Sequence, residues 1–216
     1  MSKKTLGLII ASYKYGHLAA HCIETALAQT KSYDEIHFVD DGARDCQHLS
    51  LLYSERVQFH FNEKNLGIVD NFNKMLNIVN TDYVMFVGAD NWLASNTCET
   101  ISRVLHSSTK DAIDIVTYDI LVTGELRNEI YRFYAHEMVI SKGDYYWRRY
   151  LKHHGSMAYR VELARECGGY AHNKTSTRTD EDLNLWDKMM KKTPKVWHIS
   201  EAFLYYRRHK ENFNKY

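Results

Sequence analysis

Thr5 to Ser12 is an unbroken, largely apolar run, and "HLAAHCIETALAQT" after it places Leu18, Cys22, Ala26 and Leu27 at helical spacing. A strand without polar alternation is one buried on both faces, as in a parallel sheet, so the opening predicts strand then helix. The pattern recurs along the first half. Glu35 to Val39, Val57 to Asn62 and Tyr83 to Val87 read as strands, and Ile68, Phe72, Met75, Leu76 and Val79 fit one face of a helix starting at Gly67. Cys98, Ile101 and Leu105 predict a further helix with Ser95 as its N-cap, before a strand from Ile113 to Tyr118. Four or five such repeats with short connections imply an α/β fold built on a mostly parallel sheet. Ligands of such sheets meet the carboxyl ends of the strands.

Beyond about Tyr118 the pattern changes. "VTGEL" around Gly124 predicts a turn between extended segments, and aromatic and basic residues thicken through "YRFY" and "DYYWRRYLKHH". Val161 to Cys167 reads as a short helix stopped by Gly168-Gly169, "AHNKTSTRTD" as a polar loop, "EDLNLWDKMMKK" as a helix and Val196 to Ile199 as a strand. The expectation is a single domain over residues 1–216, with a Rossmann-like half at about 1–118 and a mixed or antiparallel half at about 119–216.

Charge narrows the partners. With 28 Lys and Arg against 27 Asp and Glu, no net field draws the chain to nucleic acid or an anionic membrane. Cys22, Cys46, Cys98 and Cys167 form no C-x-x-C pair and read as reduced structural thiols, which suits a cytoplasmic protein. No stretch of eighteen apolar residues exists to span a membrane, and the opening apolar run breaks at Ser12-Tyr13-Lys14 without a signal-peptide pattern.

The chemistry lies in carboxylates at element ends. "VDDGARD" sets Asp40 and Asp41 side by side after the second strand, "VGADN" sets Asp90 after the fourth, and Glu181-Asp182 open the late helix. A carboxylate just past a buried strand faces the crevice, where it can coordinate a hard cation or accept a ligand's donors. Each also has a plain structural role open to it, as an Asx-turn or a first-turn helix residue.

In their order along the chain these segments resemble the family-two glycosyltransferases with the GT-A fold, over nearly the whole length. "LGLIIASYKYGHLAAHCIETALAQT" is similar to the family's opening strand and helix, and "FVDDGARD" to its Asp-Asp-Gly-Ser element, with Ala43 where Ser is usual. "NEKNLGIVDNFNKML" resembles its Asn-x-Gly segment and "TDYVMFVGADN" its Asp-x-Asp metal motif; Gly88 or Ala89, depending on register, replaces the first Asp. "TRTDEDLNLWDKM" looks like the segment that supplies the catalytic base, and "YYRRHKEN" like the closing aromatic-Arg-x-His element.

The resemblance implies transfer of a sugar from a nucleotide-sugar donor, a UDP-sugar favoured, to a hydroxyl of a glycan or other acceptor, with inversion. It implies that Ala11, Ser12, Tyr13 and Asp41 hold base and ribose, with Asn65, Gly67 and Ala89 completing the nucleotide site. Asp90 and His209 would coordinate Mn²⁺ or Mg²⁺ on the diphosphate, and Asp182 would be the general base. Glu181, His154 and Arg207 are candidates for the sugar and acceptor side, as is Trp186, one helical turn after Asp182. Arg207 and Arg208 fit charge neutralisation or a solvated basic tail equally, and His153-His154 lacks a third ligand at zinc spacing. Two other readings stay open. One is a non-catalytic nucleotide-sugar or glycan binder, and the other is a nucleotidyltransferase, which would want a Gly-rich phosphate loop where "ASYKYG" stands.

Overall fold

The computed structural model describes residues 3–107, 113–124, 129–131, 156–172, 181–193 and 195–212. Its strands are β1 (Leu6–Ser12), β2 (Glu35–Asp40), β3 (Gln58–Phe61), β4 (Tyr83–Gly88), β5 (Trp92–Leu93), β6 (Ile115–Gly124), β7 (Glu129–Tyr131), β8 (Met157–Arg160) and β9 (Val196–Arg208). The helices are α1 (Gly16–Leu27), α2 (Gln47–Tyr53), α3 (Ile68–Ile78), α4 (Thr97–Ser107), α5 (Val161–Glu166) and α6 (Glu181–Lys192).

Among the described residues, one sheet runs β3-β2-β1-β4-β8-β6-β9-β5, with β7 beside β6. The β3-β2-β1-β4 part is parallel throughout, as the apolar runs predict. β8 then enters antiparallel between β4 and β6, and it ties the second half of the chain into the sheet of the first. The sheet is therefore mixed, with β8, β5 and β7 running against the rest.

Side chains alternate along each strand, so every buried strand feeds two cores. Leu8 and Ile10 of β1 and Phe38 of β2 pack with α1 residues Ala19, Cys22 and Ile23 and with Ile101 of α4. Ile9 and Val39 point the other way, to Met75 and Leu76 of α3, Leu163 of α5 and Leu185, Trp186 and Met189 of α6. α6 is held in place from the same side. Lys188 Nζ donates to the Gly169 carbonyl at 3.0 Å, and Asn73 of α3 exchanges two hydrogen bonds with the Tyr170 main chain.

Several expectations are corrected. α2 lies between β2 and β3, where no helix is predicted, because only Leu49 of its seven residues is buried and the apolar period is too short to read. α4 starts at Thr97, whose hydroxyl and N–H both donate to the Ala94 carbonyl, so Ser95 is not its cap. β9 continues to Arg208 instead of ending near Ile199. Its register against β6 shifts at Asp119, where Tyr118 pairs with Ile199 but Asp119 with Ala202, and that bulge breaks the alternation a sequence reading relies on. No helix of the described residues is long and apolar enough to cross a membrane.

Candidate active site

The two adjacent aspartates of "VDDGARD" do different work. Phe38 and Val39 face opposite cores, and the alternation continues into the turn. Asp40 accepts the N–H groups of Ala43 and Arg44, both at 2.9 Å, in a closed Asx-type turn. Burial pushes its carboxyl above the usual range, against the pull of those two donors. Asp41 reaches the α3 side, where its carboxylate accepts Asn62 Nδ2 at 2.8 Å and the N–H groups of Leu66 at 2.9 Å and Gly67 at 3.1 Å. Gly67 N–H is shared with Asn65 Oδ1 at 2.7 Å. Asn62 also donates to Asn71, so a buried polar network fixes the loop ahead of α3. Gly42 is required between the two halves of this turn: its φ is +82°, and a Cβ there would sit 2.4 Å from the Lys64 carbonyl carbon.

The ends of β1, β2 and β4 meet beside this loop. Ser12 pairs with Asp40 and its carbonyl accepts the Asp41 N–H, while Ala11 pairs with both Val39 and Gly88. Ser12 is buried, its hydroxyl 3.5 Å from Cys46 Sγ, and Tyr13 is exposed at the rim. Ala89 donates its N–H to the Ala11 carbonyl, but its methyl group is wholly buried in the α1-side core. The whole residue, main chain included, has no exposed surface, so in this structure Ala89 does not face the crevice as the expected nucleotide contact would. Gly88 is the half-buried position of the altered motif. A Cβ at Gly88 would stand 2.7 Å from Asp90 Oδ1, so the Asp90 carboxylate already fills that space.

Asp90 is buried and meets the carboxyl-terminal tail. Its Oδ2 lies 3.3 Å from His209 Nε2 and accepts Asn212 Nδ2 at 3.1 Å. Burial raises its carboxyl, opposed chiefly by His209. Arg207 braces the same turn: its Nε donates to the Asp90 carbonyl at 2.9 Å, its N–H to Asn91 Oδ1, and its guanidinium lies 4.8 Å from the Trp92 ring centre. Tyr15 at the start of α1 closes the outside, with its ring edge on His209 and its hydroxyl on the Glu211 carbonyl.

Asp182 opens α6, half-buried, beside buried Glu181. Desolvation and then the neighbouring Glu181 charge push its carboxyl up to about 8. Burial raises the phenols of Tyr118, Tyr159 and Tyr170, and the Asp182 charge adds to each. Burial raises the Tyr206 phenol on β9 as well, and the charge of Asp90 and, less, that of Asp182 add to it. Trp186, by contrast, has no exposed surface and packs among Leu185, Met189 and Ile115. Its ring fills core, which corrects the expectation that it stacks on a sugar. His154 lies outside the described residues.

Asp90 and His209 suit a divalent cation. Adjacent corners of an octahedron with bonds of about 2.1 Å lie roughly 3 Å apart, close to the 3.3 Å between Oδ2 and Nε2. A carboxylate oxygen with an imidazole nitrogen favours Mn²⁺ over Mg²⁺, which prefers all-oxygen sites. A second cluster, Asp40, Asp45 and Cys46, has ligand atoms within 4.8 Å of one another. There the Asp45 carboxylate accepts the Gly16 N–H at the start of α1 and the Cys46 thiol, and Asp40 is taken up by its own turn. Burial holds the Cys46 thiol at about 12, so it stays protonated, and this cluster caps α1 instead of presenting ligands.

Asn62 and Asn212 are the site residues that sequence reading did not single out; of the two, only Asn212 carried a usable signal, as a polar side chain three residues beyond His209.

A family model described as "Glycosyl transferase family 2" matches residues 8–171. Among solved structures, S. aureus TarS 1-349 in complex with UDP-GlcNAc superposes with a TM-score of 0.73 at 14% identity, over 96% of this chain and 60% of that one. Another structure of S. aureus TarS gives 0.75 at 15% identity, over 94% of this chain and 37% of that one. The mannosyltransferase PcManGT from Pyrobaculum calidifontis, in complex with GDP-Man and Mn²⁺, gives 0.61 at 12% identity over 94% and 56%. The chain thus spans 60% or less of the length of these structures. No curated protein matches the sequence.

Proposed function

The chain belongs to glycosyl transferase family 2, and we propose that it transfers a sugar from UDP to an acceptor hydroxyl with inversion, Asp182 acting as general base. The observation that carries this reading is the placement of Asp90 and His209, 3.3 Å apart, beyond the carboxyl end of β4 in a chain that matches this family over residues 8–171. That placement supports a donor diphosphate at the strand ends beside Asp90, with Asp182 in the first turn of α6 as the carboxylate an acceptor would approach.

In this reading the nucleotide lies over Ala11, Ser12 and Tyr13, against the Asp41 loop with Asn65 and Gly67. Asp90 and His209 would hold Mn²⁺, which when bound neutralises charge on the departing diphosphate. Asp182, held at about 8, is a base whose strength suits proton removal from a hydroxyl near neutral pH. It takes the acceptor proton as the acceptor oxygen attacks the anomeric carbon from the face opposite the diphosphate. A single displacement of that kind inverts; retention by double displacement would need a nucleophilic carboxylate on the other face. The complex of TarS with UDP-GlcNAc favours uridine as the base, and PcManGT with GDP-Man makes guanosine the competing choice.

Calorimetric titration of UDP and GDP with and without Mn²⁺ tests the donor: tighter binding of UDP, strengthened by Mn²⁺, is expected. Preference for GDP overturns the uridine assignment. Proton NMR of the product from an α-linked donor tests the stereochemistry, since an α-linked product would exclude single displacement. Donor binding with no transfer or hydrolysis would favour the non-catalytic module.

A further inference from the structure

β9 ends at Arg208, so no strand ladder holds His209. What holds it is Asn212. This side chain is 4% exposed, and both ends of its amide are engaged. Nδ2 donates to Asp90 Oδ2 at 3.1 Å and to the Arg207 carbonyl at 3.0 Å, and Oδ1 accepts the His209 N–H at 2.6 Å. The Asn212 N–H closes the turn on the His209 carbonyl at 3.2 Å. One amide therefore touches the carboxylate, the residue before Arg208 and the main chain of His209. Asp90 and His209 are 119 positions apart in sequence, and their polar atoms stand 3.3 Å apart.

We propose that Asn212 is a positioning residue for the cation site: it sets which oxygen of Asp90 faces His209 and fixes the imidazole at ligand spacing. The proposal rests on the reading of Asp90 and His209 as the cation pair. The physical reason is geometric. A cation bound by two side chains from distant segments gains from both only if each is held before it arrives, and groups that orient ligands typically contribute 10–100-fold to metal affinity. Asp90 is anchored by β4, but His209 sits on a four-residue turn whose polar closure is Asn212. Replacing the amide frees the imidazole and turns the Oδ2 lone pair elsewhere, without touching the strand ends where the nucleotide would lie.

The test is Mn²⁺ affinity, read from the electron paramagnetic resonance signal of free Mn²⁺ at saturating UDP, for wild type, Asp90→Ala, Asn212→Ala, Asn212→Asp and Asp90→Ala/Asn212→Ala. Metal-free UDP affinity and thermal unfolding are measured on the same samples. Asn212→Ala should weaken Mn²⁺ binding about 10–100-fold with metal-free UDP affinity unchanged. The double variant should lose less than the two single losses combined, because part of the Asn212 effect passes through Asp90. Asn212→Asp keeps an oxygen for the His209 N–H but loses the donor to Asp90, so it should fall below wild type by less than Asn212→Ala. It also carries the comparison if the alanine variant does not fold.

The ¹⁵N resonances of the His209 ring should shift in Asn212→Ala without metal, a change that a distant packing defect would not produce. Wild-type Mn²⁺ affinity in the Asn212 variants together, while Asp90→Ala has lost it, overturns the positioning role and leaves the cation site standing. An equal loss of metal-free UDP binding in Asn212→Ala also overturns it, in favour of general folding support. Wild-type Mn²⁺ affinity in Asp90→Ala removes the cation site and the proposal with it.

Discussion

The N–H of Gly67 donates to the carboxylate of Asp41 at 3.1 Å, joining two residues 26 positions apart, and the N–H of Leu66 joins the same carboxylate at 2.9 Å. Asp41 is thus the peg on which the loop ahead of α3 hangs. Asp41→Ala leaves these N–H groups and Asn62 without their acceptor, and should cost about 2–4 kcal/mol of stability. Denaturant unfolding measures it, and Asp41→Asn, which keeps one acceptor oxygen, should lose less. Any loss of nucleotide affinity in the alanine variant has to be compared at matched folded fraction.

Asp182→Asn keeps the shape of the side chain and removes its ability to take a proton. Transfer should fall by roughly 10²–10⁴-fold with UDP affinity retained. In wild type kcat/KM should rise with pH through about 8, as the base loses its proton, and the asparagine variant should lack that limb. Near-normal transfer by Asp182→Asn would move the base to another group, Glu181 being the nearest.

The same carboxyl bears on stability with the opposite slope from an ordinary ion-paired aspartate. Its folded value, about 8, lies far above the ordinary aspartate value of 3.8. Between those limits the folded chain keeps a proton that the unfolded chain has released, so stability is greatest below the lower value and falls as pH rises to about 8. Asp182→Asn cannot titrate. It should flatten that part of the curve and gain stability relative to wild type as pH rises from acid to neutral, as thermal unfolding across pH would register.

Gly88→Asp would recreate the usual acidic pair of the metal motif in sequence but not in space. The new Cβ would lie 2.7 Å from Asp90 Oδ1 and 3.0 Å from Asn91 Nδ2, so Asp90 must leave its place against His209 and Asn212. The variant should bind Mn²⁺ more weakly than wild type in the presence of UDP, despite the added charge. Ala89→Asp should instead destabilise the fold, since that position has no exposure to solvent.

What the chain determined by itself was local and periodic. The unbroken apolar runs specify β1, β2 and β4, and the helical spacing of Ile68, Phe72, Met75 and Leu76 specifies α3. The position of each acidic residue just past a strand, or at the start of α6, follows from the same patterns, because period and punctuation are properties of neighbours in sequence. Tertiary structure decided the rest. It separated Asp40, closed on its own turn, from Asp41, which ties two loops together, though the two are adjacent and chemically identical. It buried Trp186, showed that Ala89 faces the core, and inserted β8 against the direction of its neighbours. It also brought His209 and Asn212 to Asp90 across most of the chain. Those outcomes depend on which face of a strand a core covers and on where a distant tail comes to rest. Such contacts are set by packing in space, and no spacing along the sequence encodes them.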